Sequence, residues 1–325
     1  MGVLLSNKEV VSQSERVYAQ FGKKWNDFSH FNFKLDHRNT EELKNIGIGK
    51  VLLMVAMGES TEALLPTIKE NRHLFDLVTN DKCFGLLMDN GITPDYVMLC
   101  DANVPFKFFE PYIEKSKNVK LISTVYGNIE WTEKWKGDRY FYINRDSIQS
   151  ELEFLKIFGN DTRMIPAGSN VSNAMVTFFN GADNRVNINW AGYERYLLVG
   201  FDYSWRPDGN YYAFLDPKPK RHYMNHRTLI DLYGHVAFTS ENLLFSAKWL
   251  VSYVTSFKLP VVNCSERGIL EIKRDTLKNQ LSKINPDPLV RKRVRELFEN
   301  AKKMNEAFNY ANDLFNDSRG AIIWQ

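Results

Sequence analysis

Residues 50–61 read KVLLMVAMGEST, residues 75–81 read FDLVTND, and residues 91–101 read GITPDYVMLCD. Val51 to Met57 is apolar without alternation, the pattern of a strand buried on both faces. Gly58-Glu59-Ser60-Thr61 interrupts it, and Ser60 or Thr61 can cap a helix carrying Leu64, Leu65 and Ile68 and ending near Asn71. Phe75 to Thr79 is the next strand and Lys82 to Asn90 the next helix, with Gly91 suited to the left-handed position after it. A third strand, Tyr96 to Cys100, closes on Asp101. Strands alternating with helices predict right-handed βαβ units and a mostly parallel sheet. In such a sheet, ligands bind beyond the carboxyl ends of the strands, where these small and polar residues fall.

The alternation continues outward. Strands are expected at Val119–Val125, Asp138–Asn144, Arg195–Val199 and Val261–Asn263, and helices at Asn170–Phe179, capped by Ser169, and Glu241–Phe257. Between them, Tyr203 to Gly234 holds Pro207, Gly209, Pro217 and Pro219 among aromatic and basic residues, and reads as a long excursion over the sheet edge. Residues 8–45 read as an amphipathic helix and polar connection, with Trp25, Phe28, Phe31 and Phe33 as anchors on the main domain. At the other end Asp287 can cap, and Pro288 can open, a long helix. Its residues Val290, Val294, Leu297, Ala301, Met304, Phe308, Ala311 and Phe315 alternate spacings of four and three. That seam can lie along the main domain or form a homodimer through residues 288–316. The expected organisation is an N-terminal helical extension (1–47), an α/β domain with helices on both faces of its sheet (48–275) and a C-terminal helical segment (276–325).

Composition bounds the function. With 44% apolar and 25% charged residues the chain has the make-up of a soluble globular protein, and a net charge of +3 does not by itself mark a nucleic-acid binder. No apolar run is long enough to span a bilayer, and Met1 to Lys8 lacks the features of a secretory signal. Met1-Gly2-Val3-Leu4-Leu5-Ser6 fits a myristoylation pattern, a short match that recurs by chance. Cys83, Cys100 and Cys264 show no ligand spacing, and reduced thiols in a cytoplasmic protein are expected.

Several residues can carry chemistry. The Gly58-Glu59-Ser60-Thr61 turn offers free amides and a helix dipole to an anion, although it lacks the lysine of a P-loop. Gly168-Ser169-Asn170 repeats that logic. Asn80, Asp81 and Asp101 end strands where a ribose, base or metal-bound phosphate would lie, and Asp202 follows Gly200 in the same manner. Asp101 and Asp202 can together hold a divalent cation, or can orient a sugar or act as a base. Lys218, Lys220, Arg221 and His222 form a basic knot suited to a leaving phosphate or an acceptor, with His222 as an acid or base. Arg291, Lys292, Arg293 and Arg295 form a second basic cluster at the start of the last helix. His222, His226 and His235 lack the helix or thiol of a zinc site, and no Gly-x-Ser-x-Gly elbow marks a hydrolase.

Taken in order, these motifs resemble one family, the 6-hydroxymethylpterin diphosphokinase-like proteins and the motility accessory factors that glycosylate flagellin. Its Gly-Pro-Ser-Leu turn stands here as Gly58-Glu59-Ser60-Thr61, and its Gly-Ile-x-Pro-Asp and strand-end Asp as Gly91 to Asp95 and Asp101. Its Gly-Ser before a helix is Gly168-Ser169, its Gly-x-Asp is Gly200-Phe201-Asp202, and its late Asn-x-Ser and Gly are Asn263, Ser265 and Gly268. The resemblance covers residues 48–272. It implies a Rossmann-like core related to that of bacterial sialyltransferases and a nucleotide-activated donor. Asp202 and His222 are then the catalytic candidates. Gly58, Glu59, Ser60, Asn80, Asp81, Asp101, Gly168, Ser169, Asn263 and Ser265 would contact the donor, and Lys220 and Arg221 its phosphate or the acceptor. Glu59 departs from the family's proline and sets a negative charge beside the expected anion cradle, where it can contact a sugar hydroxyl or a metal instead.

Two chemistries follow from the resemblance. One is transfer of a sugar from a nucleotide sugar to a protein, glycan or nucleic-acid base. The other is transfer of diphosphate from ATP to a pterin alcohol, with Mg or Mn. The aromatic loop from Tyr203 to Tyr233 suits a broad acceptor and favours the first. A non-catalytic binding or assembly protein on the same fold is the third reading.

Overall fold

The computed structural model of the chain describes residues 7–145, 148–159, 162–168, 170–183, 186–187, 189–207, 226–285 and 287–322. Its centre is an eight-stranded sheet. In chain order the strands are β1 (Val51–Val55), β2 (Asp76–Asn80), β3 (Tyr96–Leu99), β4 (Lys120–Thr124), β5 (Arg139–Asn144), β6 (Met164–Ile165), β9 (Arg195–Val199) and β12 (Val261–Asn263). A two-residue ladder, β7 (Ala182–Asp183) with β8 (Val186–Asn187), and a hairpin, β10 (Arg227–Ile230) with β11 (Val236–Thr239), lie outside it. The spatial order is β12-β9-β1-β2-β3-β4-β5-β6, and each neighbouring pair is parallel. The chain runs outward from β1 to β6 and returns to β9 on the other side of β1. The order therefore reverses between β1 and β9, the place where such sheets open a crevice.

The sheet is buried on both faces, as its unbroken apolar strands require. Leu52, Met54, Val78, Met98 and Leu198 share a core with α6 (Val171–Asn180) and α7 (Glu241–Ser256). Val51, Leu53, Val55, Leu77 and Val199 share the opposite one with α2 (Thr61–Glu70), α3 (Asp81–Asp89) and α8 (Leu277–Leu281). This is the α/β, Rossmann-like arrangement expected from the sequence. Farther along, α4 (Ile129–Lys134) brings Trp131 against Phe109 beside β3 and β4. The long α1 (Asn7–Phe33) packs on α4 and on α5 (Ile148–Phe158), with Trp25 stacked on Tyr126 at 4.4 Å. Asn32 fixes it further by donating through Nδ2 to the carbonyls of Val125 and Gly127, both at 3.0 Å.

Two expectations are corrected. The excursion from Tyr203 to Gly234 is not irregular throughout, because residues 227–239 form the β10–β11 hairpin. Its turn is set by Asp231, whose Oδ1 accepts from the amides of Tyr233 and His235, and by Gly234 at φ +84°. The cap of α6 is Asn170, accepting from the Ser172 amide at 2.8 Å, and the expected cap Ser169 lies outside the described residues. The final helix, α9 (Pro288–Ile322), forms as expected, with Asp287 capping it through the Leu289 amide at 2.8 Å. Its seam does not lie along the sheet domain over the described side chains: Val290, Val294, Leu297 and Met304 are all exposed. Arg295 touches the domain, donating to the Ile46 carbonyl at 2.8 Å. Among the described residues, no helix is long and apolar enough to cross a membrane.

Candidate functional site

The loops after β1 and β9 meet at the reversal of strand order. The Gly58 amide donates to the Gly200 carbonyl at 3.0 Å, and Gly200 takes φ +73°. Two residues beyond Gly200, the Asp202 carboxylate turns back across the crevice. Its Oδ2 accepts from the Ser60 amide at 2.8 Å and its Oδ1 from Ser60 Oγ at 2.5 Å. The expected anion cradle at the first turn therefore holds an anion of the chain itself. The turn is not a phosphate loop, because its inward amide is already spoken for. Glycine is required at Gly58, where a Cβ would lie 2.7 Å from the Asp202 carboxyl carbon and 2.3 Å from the Gly200 carbonyl oxygen.

Glu59 is paired within the chain. Its carboxylate accepts from Arg206 Nε at 2.6 Å and from the Arg206 amide at 3.2 Å. The departure from the family's proline thus ties the first turn to the beginning of the 203–234 excursion, in place of the expected contact with a sugar hydroxyl or a metal.

A cleft of about 520 Å³ opens beside this latch, within the range of small-molecule sites. Gly58, Asn80, Asp81, Asp101, Asn170 and Asp202 all line it, so residues from five different strand ends converge as the sequence implied. Burial pushes the Asp202 carboxyl up to about 7; the two hydrogen bonds from Ser60 and the charge of Arg267 oppose that shift, and the charge of Glu59 adds to it. Burial likewise raises Asp81 to about 6, against the charge and amide of Lys82 and together with the charge of Asp101. Asp81 Oδ1 accepts from the Lys82 amide at 2.6 Å. Burial thus moves both carboxyls toward neutrality.

The structure distributes the other candidates differently from the sequence reading. Asp101 is exposed, with Oδ1 accepting from the Asn103 amide at 2.7 Å. Its charge acts on Asp81, whereas the charged neighbours of Asp202 are Glu59 and Arg267. The expected metal pair of Asp101 and Asp202 is thus not the pair that is coupled, and no group of three or more His, Cys, Asp or Glu side chains converges among the described residues. Asn80 caps α3, accepting from the Cys83 amide at 3.0 Å. Asn80→Ala should cost about 1 kcal/mol in a denaturant titration, the usual loss for a side-chain cap.

Asn263 and Ser265 do not reach the cleft. Asn263 Nδ2 donates to the Leu270 carbonyl, its Oδ1 accepts from the Ser265 amide, and Ser265 Oγ accepts from the Phe201 amide at 3.0 Å. They brace the loop that carries Asp202 from behind, and Gly268 allows that brace to close: a Cβ there would sit 2.4 Å from the Asp202 carbonyl oxygen. Gly168, at φ +56°, similarly lets the chain pass under the Trp249 ring. Ser169, Lys218, Lys220, Arg221 and His222 lie outside the described residues. Sequence reasoning missed Trp25, Lys82, Tyr126, Asn144, Ser172, Tyr203 and Asn242, which also line the cleft. Asn144 had a visible signal, a polar residue closing an apolar strand as Asn80 does; Trp25 and Asn242 arrive through tertiary packing alone.

The sequence model of the 6-hydroxymethylpterin diphosphokinase MptE-like family matches residues 29–208, more than half of the chain. The chain belongs to this MptE-like family. The match holds both halves of the Ser60–Asp202 latch and stops before the Asn263–Gly268 brace. A comparison with curated proteins finds no match. Among solved structures, the chain is similar to the MAf glycosyltransferase from Magnetospirillum magneticum AMB-1, at 18% identity and a TM-score of 0.57. The similarity covers 82% of this chain and 42% of that one, so this chain spans less than half the length of its neighbour. At that identity the likeness shows a shared fold. The lysine decarboxylase LdcF of Francisella novicida is matched at 14% identity and a TM-score of 0.18, over 42% of this chain and 20% of that one, which carries no argument.

Proposed function

We propose that this MptE-like chain is a nucleotide-dependent group transferase, and that its reaction is glycosyl transfer from a nucleotide sugar. The observation that carries the reading is the cleft at the strand-order reversal, with two carboxyls on its wall that burial moves toward neutrality. The shared fold with a glycosyltransferase supports the choice of chemistry. Asp81 is the better placed base. One of its oxygens is held by the Lys82 amide, whereas both oxygens of Asp202 are held by Ser60. The acceptor hydroxyl gives its proton to Asp81 as its oxygen bonds to the anomeric carbon, and the bond from that carbon to the donor phosphate breaks with its electron pair leaving on the nucleotide. The start of α6, where Asn170, Val171 and Ser172 line the cleft, offers its helix dipole to the phosphate, although the Ser172 amide is taken by the Asn170 side chain. A divalent ion such as Mg or Mn would be held by the donor phosphates with the exposed carboxylate of Asp101, neutralising the leaving charge while Asp81 takes the proton.

Diphosphate transfer from ATP to a pterin alcohol is the second reading, favoured by the family's description. A thermal-shift screen tests both. CMP-, UDP- or GDP-sugars should raise the melting temperature and release free nucleotide, since a ligand bound to the native state alone stabilises it. A shift with ATP and magnesium alone, with AMP released only when a pterin is added, would replace glycosyl transfer by the second reading.

A further inference from the structure

The part of the cleft at the end of β5 has a chemistry of its own. Asn144 closes β5, is 4% exposed and lines the cleft. Its Nδ2 donates to the Tyr126 hydroxyl at 2.7 Å. Its Oδ1 is buried and has no hydrogen-bond partner among the described residues. A desolvated carbonyl oxygen left without a donor costs the fold free energy, and such groups in native proteins call for an explanation.

The surroundings of that oxygen are aromatic. The Tyr126 ring stacks on Trp25 at 4.4 Å with 9° between planes, and packs against Phe154 at 5.5 Å. Trp25 and Tyr126 both line the cleft beside Asn144. Trp25 comes from α1 at a position before residue 29, where the family match begins. Trp25 therefore lies outside the matched region, whereas Tyr126 and Asn144 lie within it.

We infer that the Asn144 end of the cleft binds the planar heterocycle of the ligand, with a ring N–H or exocyclic amine donating to Asn144 Oδ1 and the flat apolar body lying against the Trp25–Tyr126 wall. The inference rests on the proposed nucleotide-dependent reading and assigns the nucleobase to this end. A hydrogen-bond acceptor set in an apolar wall matches the edge and faces of a base. It does not match a phosphate, which an amide oxygen repels. Spacing supports the assignment too. The carboxyls that would handle the proton sit at β2 and β9, and β3 and β4 separate β2 from β5, leaving the breadth of the cleft for ribose and phosphate.

Calorimetric titration of the full chain with CMP, UMP, AMP and GMP, and with ribose 5-phosphate as a probe that lacks a base, tests the assignment. Asn144→Leu should weaken the tightest mononucleotide about tenfold, the loss of one hydrogen bond to a buried acceptor, and leave ribose 5-phosphate unchanged. Tyr126→Phe keeps the ring and removes the hydroxyl bonded to the amide. It should move the same ratio in the same direction by a smaller factor, and it serves if Asn144→Leu does not fold. Equal weakening of mononucleotide and ribose 5-phosphate in both variants, or no weakening in either, overturns the assignment of the base to this end while leaving the nucleotide-dependent reading intact. Failure of the wild-type chain to bind any mononucleotide overturns both.

Discussion

The Asp202→Asn variant is expected to melt level with the wild type at about pH 3.5 and well above it at about pH 8.5. Folding buries this carboxyl and raises its pKa from 3.8 to about 7. Between those values the folded chain keeps a proton that the unfolded chain has released. The stability Asp202 contributes is therefore complete below the unfolded value and is lost as pH rises through about 7. A shift of that size corresponds to a loss on the order of 4 kcal/mol, as an upper bound. Asparagine keeps the shape: its Oδ1 can accept from the Ser60 amide, and its amide can donate to Ser60 Oγ. Asp81, raised to about 6, adds a smaller loss of the same sign in both proteins. Asp275, held well below the usual carboxylate range by hydrogen bonds from Asn279, Lys283 and Gln280, works in the opposite sense, and its contribution is lost as pH falls through the acid range. Thermal melts across the pH range check the crossover, and parallel curves for the two proteins would contradict it. Activity should separate the two carboxyls as well. Asp81→Asn is expected to lose about a hundredfold or more in turnover, the scale of a missing general base, while Asp202→Asn stays within about tenfold.

Gly200→Ala should be strongly destabilising. The residue takes φ +73°, and a Cβ there would lie 2.0 Å from Thr61 Oγ1 and 2.4 Å from the Ala56 carbonyl oxygen. Those two groups are hydrogen-bonded to each other at 2.8 Å where β1 passes into α2, so neither can retreat without opening the turn. The methyl group would push apart the two loops whose contact makes the crevice. A loss of about 3–5 kcal/mol is expected in denaturant unfolding, the range for steric and backbone strain combined. Gly234→Ala provides the control. It shares the left-handed backbone, at φ +84°, but a Cβ there meets nothing within 4 Å, so only the conformational cost of about 1 kcal/mol remains. Equal losses at the two glycines would mean that close approach of the loops is not what Gly200 provides.

The sheet was legible because burial on both faces leaves a direct trace, and Val51–Val55 needs no partner to be recognised as a central strand. Boundaries shifted by a residue: β2 runs Asp76–Asn80 in place of Phe75–Thr79, because polar Asn80 still belongs to the ladder, and β5 begins at Arg139 in place of Asp138. The β10–β11 hairpin was hidden because Arg227, Thr228 and Ile230 remain exposed, so the period that marks a half-buried strand is weak there. In the site, position was readable and partnership was not. Asp202 stands at the cleft as its placement after Gly200 required, but the sequence does not say that its counterpart is Ser60, 142 residues earlier. Glu59 looked like a charge facing a ligand until Arg206 was placed beside it, and Asn263 and Ser265 looked like ligand contacts until their bonds were seen to close on their own loop. Trp25 belongs to a helix whose docking depends on α4 and α5, contacts that no local pattern encodes.

The central claim is that a nucleotide occupies the cleft where the order of the strands reverses. Hydrogen–deuterium exchange of the full chain, with and without a saturating mononucleotide, measures it directly. The amides of residues 56–60, 80–82, 142–145, 170–172 and 200–204 should slow together, while those of α9 and of the β10–β11 hairpin keep their rates. Protection confined to α9 or the hairpin, or no protection under saturating ligand, would contradict it.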